Sequence, residues 1–134
     1  MYFDGQDDYL TVLSASNEIN ISSNLITISA WVKPFELTNS TQRIVTASNL
    51  NVVGQQYALT INPQGEIYFL GDQGAFESGT FNESNATIIT NDWNHVSITY
   101  DGNSVKLFLN GFEDFENTVA GVFTTYNYNN GTNI

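Results

Sequence analysis

Glu113-Asp114-Phe115-Glu116 places three carboxylates in four positions, the first place to look for acid–base chemistry in this chain. Retaining glycoside hydrolysis needs an acid and a nucleophile about 5 Å apart on one surface. Side chains alternate across a strand, so Glu113 and Asp114 point to opposite faces, and the run reads as a solvated acidic edge or turn. His95 is the only histidine. No Ser or Cys motif accompanies it, and alternation sets it on the face opposite Val96 and Ile98, where it is expected to be structural or at the surface. With no cysteine and one histidine, thiolate and His-rich zinc sites are excluded within this chain, and any metal would take oxygen ligands.

Oxygen ligands are available at the start of the chain. Asp4, Asp7 and Asp8 crowd a turn that also offers backbone carbonyls, the hard-oxygen surroundings Ca²⁺ prefers. Turns select Asp and Gly for their own reasons, so ordinary turn chemistry is the competing account. Sugar binding asks for something else, an aromatic platform rimmed by amides or carboxylates, because a pyranose has an apolar face and a hydroxyl edge. Trp31, Tyr68 and Phe108 fall out of phase with Val32, Phe69 and Leu107, the clearest buried positions of their strands, and are expected to line one outer sheet face. Core packing of those rings is the alternative. The loop from Gly71 to Gly79 is a second binding candidate through Asp72 and Phe76, since loops on a rigid scaffold commonly carry recognition.

Strands must position these groups. From Trp93 to Gly111, two alternating runs flank Asp101-Gly102, with Val96, Ile98 and Tyr100 on one face and Val105, Leu107 and Leu109 on one face of the partner. Asp101-Gly102 and Asn110-Gly111 both offer the positive φ of tight hairpin turns. Pro63-Gln64-Gly65 predicts a second hairpin between Tyr57–Asn62 and Glu66–Leu70. Further strands are expected near Tyr2-Phe3, Tyr9–Leu13, Leu25–Lys33, Arg43–Ala47, Ala86–Ile89 and Phe112–Asn117. Asn17–Asn24, Asn39–Gln42 and Asn82–Thr87 read as polar loops. No amphipathic helix or repeat is visible, so the prediction is all-β, an antiparallel sandwich of two sheets.

Length and charge narrow the field. The 134 residues, 1–134, make one domain, able to bury about two thirds of the surface of its unfolded chain. Only 13% of residues are charged, yet the net charge is −11, because Lys33, Arg43 and Lys106 are the only strong cations. Such a surface repels phosphate backbones and anionic lipid, which argues against nucleic-acid partners. No apolar run approaches a membrane span, which argues against membrane insertion. Met1 opens directly onto a predicted strand, as an excised or mature domain would.

The hairpin, with its Trp-x-His-Val start at Trp93, Tyr100-Asp101-Gly102 turn and Leu107-Phe108-Leu109-Asn110-Gly111 end, resembles the closing hairpin of laminin G-like domains of the concanavalin A-like lectin/glucanase superfamily. Tyr2-Phe3-Asp4-Gly5-Gln6-Asp7-Asp8-Tyr9-Leu10 resembles the family's opening strand and turn, and Ile26 to Pro34 its next long strand. The resemblance implies a jelly-roll sandwich, a calcium ion near a sandwich edge in many relatives, and His95, Trp31 and Trp93 as parts of fold motifs. It further implies a non-catalytic extracellular or secreted recognition module for carbohydrate, or alternatively a protein-binding adhesion or spacer domain for a cell-surface partner, joined to other domains of a parent chain. The chain departs from the pattern after Gly111, where the family's final strand, paired beside the first, has no recognisable counterpart. A fragment, or a domain completed by another chain, is the expectation that follows.

Overall fold

The structure is a computed structural model that describes residues 3, 8–12, 25–48, 55–71, 82–118 and 132–133. Its elements are ten strands, β1 (Thr11–Val12), β2 (Ile26–Val32), β3 (Gln42–Ser48), β4 (Gln55–Ile61), β5 (Glu66–Gly71), β6 (Asn82–Thr87), β7 (Asn94–Tyr100), β8 (Ser104–Leu109), β9 (Phe112–Thr118) and β10 (Thr132–Asn133). Two four-stranded antiparallel sheets form, one ordered β2-β7-β8-β9 and the other β3-β4-β5-β6. They face each other as the sandwich that the alternating runs predict.

The period of two decides what each strand buries. Val96, Ile98 and Tyr100 of β7 and Val105, Leu107 and Leu109 of β8 are all buried, as the hairpin pattern requires. They meet Leu59, Ile61, Ile67 and Phe69 from the opposing sheet in one cluster, joined by Ala47, Tyr57 and Ile88. Ile26, Ile28, Ala30 and Val32 close the β2 side, each partly buried because β2 is an edge strand.

The turns confirm two readings and amend one. Asn110 (φ 53°) and Gly111 (φ 85°) both take left-handed conformations, as a two-residue hairpin demands. At the other end of β8 only Gly102 does so. Asp101 instead accepts the backbone N–H groups of Asn103 (2.9 Å) and Ser104 (2.7 Å) on its carboxylate, so its role is to cap the turn. At Pro63-Gln64-Gly65, Gly65 (φ 90°) donates to Asn62 O, and a Cβ on it would stand 3.0 Å from Leu37 Cδ1.

Three expectations change. Asn82–Thr87, read as a loop, is strand β6, whereas the strand expected at Ala86–Ile89 ends at Thr87. Most of its buried polar groups are bonded, Asn82 Nδ2 being the exception among the described residues. Ser84 Oγ accepts from Ile67 N and donates to Ala86 O, and buried Asn82 accepts from Asn117 on β9. The final strand that seemed to have no counterpart is present in short form, with Thr11 opposite Asn133 and Val12 opposite Thr132. Near the start of the chain, Phe3 is exposed and outside any strand, and Tyr2 lies outside the described residues.

Where the sheets' edges meet, β9 and β6 lie side by side, and a bulge decides the chemistry. Leu107 pairs with Phe115 and Phe108 with Glu113, which leaves Asp114 as the extra residue. Its carboxylate turns across the seam and accepts Asn85 N (2.5 Å) and Ala86 N (3.1 Å), while Asn85 Nδ2 donates to Asp114 O. Edge amides of β6 that would otherwise be open to pairing are thereby occupied.

Candidate functional site

The two sheets treat their outward residues differently. On the second sheet the outward positions Thr46, Ala58, Thr60 and Tyr68 are all buried. On the first sheet the outward residues stay accessible to water, and the strand register arranges them in rows. Trp31 stands beside His95; Ser29, Ser97, Phe108 and Glu113 make the second row; Thr27, Thr99, Lys106 and Glu116 make the third.

Trp31 is 65% exposed although it belongs to a regular strand. Its indole packs against the His95 ring, centroids 5.0 Å apart and planes tilted by 52°. A hydrogen bond of 2.8 Å between His95 Nε2 and Ser29 Oγ holds the imidazole, and Asn110 Oδ1 accepts the His95 backbone N–H at 2.9 Å. His95 is thus the surface histidine that alternation predicts, used to orient an exposed ring.

The acidic run behaves as no regular strand would. Glu113 and Glu116 are three residues apart and belong on opposite faces, but the bulge at Asp114 restores their parity. Both reach Lys106 Nζ, at 3.1 and 3.3 Å, and Glu116 also accepts from Ser104 Oγ. Hydrogen bonds to the two glutamates raise the Lys106 pKa above its ordinary value. Glu113 and Asp114 do point apart, as expected.

The other sequence candidates scatter. Phe108 shares the face of Trp31 but sits two strands away. Tyr68 belongs to the second sheet, is only 9% exposed and spends its hydroxyl on Thr41 Oγ1 at 3.1 Å, so Trp31, Tyr68 and Phe108 do not share one platform. The expectation fails because alternation gives a residue's face within its own sheet and says nothing of which sheet that is. Asp72 and Phe76 lie outside the described residues, as do Asp4 and Asp7. Asp8 is described and exposed, one oxygen-bearing side chain where Ca²⁺ takes six to eight ligands. Among the described residues no three His, Cys, Asp or Glu side chains converge.

Sequence reasoning missed an apolar rim. Val32 pairs with Asn94 and Leu109 with Phe112, so the ends of β2 and β8 and the starts of β7 and β9 all lie at one end of the first sheet. There Phe35 (78%), Trp93 (57%) and Phe112 (78%) are exposed, with Ile89 nearby in the loop. Buried Asn94 binds this loop together, donating to the carbonyls of Ile89 and Asp92 and accepting Ile89 N. Asn91 adds bonds from its backbone N to Pro34 O and from Nδ2 to Phe35 O. The core packing that would explain Trp31 and Trp93 is not what the structure shows. The available signal was that Phe35 follows Pro34 and Trp93 follows Asn91-Asp92, turn residues at the ends of the alternating runs.

The family model described as Concanavalin A-like lectin/glucanases superfamily, for laminin G-like domains, matches residues 4–133. Among solved structures, domain 4 of the extracellular arabinanase AbnA from Geobacillus stearothermophilus, in complex with arabinotriose, is 25% identical with a TM-score of 0.56, covering 85% of this chain and 52% of its own. Domains LG4-5 of the mouse laminin α1 chain give 18% identity and a TM-score of 0.66, over 90% of this chain and 30% of that one. The CBM40 module of the Ruminococcus gnavus IT-sialidase, bound to α2,3-sialyllactose, gives 17% and 0.55, over 96% and 86%. The chain thus spans about half or less of the first two of these. No curated protein matches it significantly in sequence.

Proposed function

The chain belongs to the concanavalin A-like lectin/glucanases superfamily, as a laminin G-like domain, and from that premise we propose that it is a non-catalytic, extracellular carbohydrate-binding module whose ligand stacks on Trp31. One observation carries the reading. An indole on a regular strand is left 65% open to water while His95, itself bonded to Ser29, packs against it and sets polar groups at its side. That is the pairing of apolar surface and hydrogen-bonding rim that a sugar ring fits. The AbnA domain, solved with arabinotriose, supports the ligand class.

Catalysis has no carrier in this reading. Glu113 and Glu116 share a face, but both are taken up by one ammonium, a salt link in place of an acid and nucleophile flanking a groove. Calcium, through Asp4, Asp7 and Asp8, enters as one arm of the test. On a broad glycan and polysaccharide array in calcium and in chelator, the full chain binds, and Trp31→Ala lowers that binding at least tenfold without changing the unfolding midpoint by more than a degree or two. Loss in chelator assigns the acidic turn a part; survival confines the site to the Trp31 face. Absence of binding by the folded chain refutes the carbohydrate reading.

One observation favours a second reading, an adhesion or spacer domain with a protein partner. Phe35, Ile89, Trp93 and Phe112 are exposed along one end of the sheet, from its β2 edge to its β9 edge, and exposed aromatics are enriched at protein interfaces.

A further inference from the structure

We infer that the ligand accepted by the Trp31 face is an uncharged glycan, and that acidic sugars are rejected there by charge; this rests on the carbohydrate reading above. The chain has three strong cations against 14 Asp and Glu, and all three cations are among the described residues. No other segment of these 134 residues can therefore bring another lysine or arginine to the face.

Each cation is accounted for. Arg43 is on β3, in the second sheet. Lys106 is on the face, but Glu113 and Glu116 both hold its ammonium, so the three together carry one net negative charge. Lys33 stands exposed just past the end of β2, two residues beyond Trp31, and is the one cation near the ring with no carboxylate bonded to it among the described residues. Carboxylate and sulfate groups are usually gripped by the planar fork of arginine, and no arginine is here. A single hydrated lysine, working against a net charge of −11, is a weak substitute.

An uncharged sugar meets the opposite situation. Its hydroxyls are donors, and the face presents acceptors in the hydroxyls of Ser29, Ser97, Thr27 and Thr99 and in the carboxylate oxygens of Glu113 and Glu116 that do not bond Lys106. Hydroxyls donating to carboxylates make charge-assisted bonds, the stronger kind. The same carboxylates repel a uronate, a sialate or a sulfate ester. The face is therefore complementary to a polyol and hostile to an anion.

The test uses the full chain and matched pairs of probes, galactan against polygalacturonate and lactose against 3′-sialyllactose, added to a wider panel of neutral and acidic polysaccharides. Affinity electrophoresis or calorimetry is run at low and at physiological salt. Binding is expected to neutral members, at least tenfold weaker binding to acidic ones, and less than a twofold change of the neutral affinity with salt. Lys33→Gln leaves neutral binding unchanged. Equal or tighter binding of acidic members, or loss of binding in Lys33→Gln, overturns the inference and leaves the carbohydrate reading standing. Absence of binding to every probe, or binding indifferent to Trp31→Ala, fails the carbohydrate reading and takes this inference with it.

Discussion

Trp31 and Tyr68 have the same sequence credentials and opposite fates. Both are aromatics one step out of phase with buried neighbours, on strands flanked by apolar alternation. Trp31 opens to water on the outer face of the β2-β7-β8-β9 sheet, whereas Tyr68 is enclosed on the outward side of the β3-β4-β5-β6 sheet and bonded to Thr41. One sheet leaves its outer face open to water, and the other has Thr46, Ala58, Thr60 and Tyr68 of its outer face buried. An outward-facing aromatic is thus a binding candidate only when the rest of the fold leaves it uncovered.

The comparison can be broken hardest through the shared core. Phe69→Ala removes a fully buried ring and is expected to cost about 3–5 kcal/mol in denaturant unfolding, which unfolds both sheets together. Separate transitions for the two sheets would show that they are not one cooperative unit. Gly65→Ala comes next. Its φ of 90° and the 3.0 Å approach of Leu37 add strain and crowding, so a loss above about 1 kcal/mol is expected, and more than for Gly111→Ala, which has the strain without the crowding.

Threonines on the two outer faces sharpen the contrast. Thr60 is fully buried and donates to Tyr68 O, so Thr60→Val is expected to cost about 1 kcal/mol. Thr46, buried on the same face, has a hydroxyl with no hydrogen-bond partner among the described residues, and Thr46→Val is expected to be neutral or stabilising. Thr99→Val on the open face is expected to change stability by less than about 0.5 kcal/mol. Equal effects at Thr60 and Thr99 in thermal unfolding would erase the distinction between the faces.

The smallest effect is at the exposed Asp101 turn. Backbone hydrogen bonds from Ser104 and Asn103 lower its pKa below the ordinary 3.8. A group with a depressed folded pKa stabilises above its unfolded value and loses that contribution as pH falls through the folded one. Stability measured from pH 5 downward is therefore expected to fall less steeply in Asp101→Asn than in the parent chain.

Much of the fold was legible. The hairpin from Asn94 to Leu109 buries the six residues its alternation selects, because a two-sided strand with one greasy face has one way to lie on a core. Strand β6 was not legible, since Asn-Glu-Ser-Asn has no alternation and becomes a strand only through the bonds offered by Ile67, Asn117 and Asp114. Of the site, Trp31 and Phe108 were found on one face, while the rim of Phe35, Trp93 and Phe112 went unseen because at strand ends and turns exposure depends on the neighbouring loops and not on alternation.

What the sequence determined by itself was the all-β class, the inward faces of β7 and β8, the tight turn at Asn110-Gly111 and a charge that leaves three cations in the whole chain. These are properties of local spacing, local chemistry and counting. Tertiary structure alone decided which sheet each strand joined, that the outer face of one sheet would be covered and the other left open, and that a bulge would bring Glu113 and Glu116 together on Lys106. The reason is that alternation fixes a side chain's face relative to its own strand, while exposure and partnership depend on what other strands, distant in sequence, bring against that face.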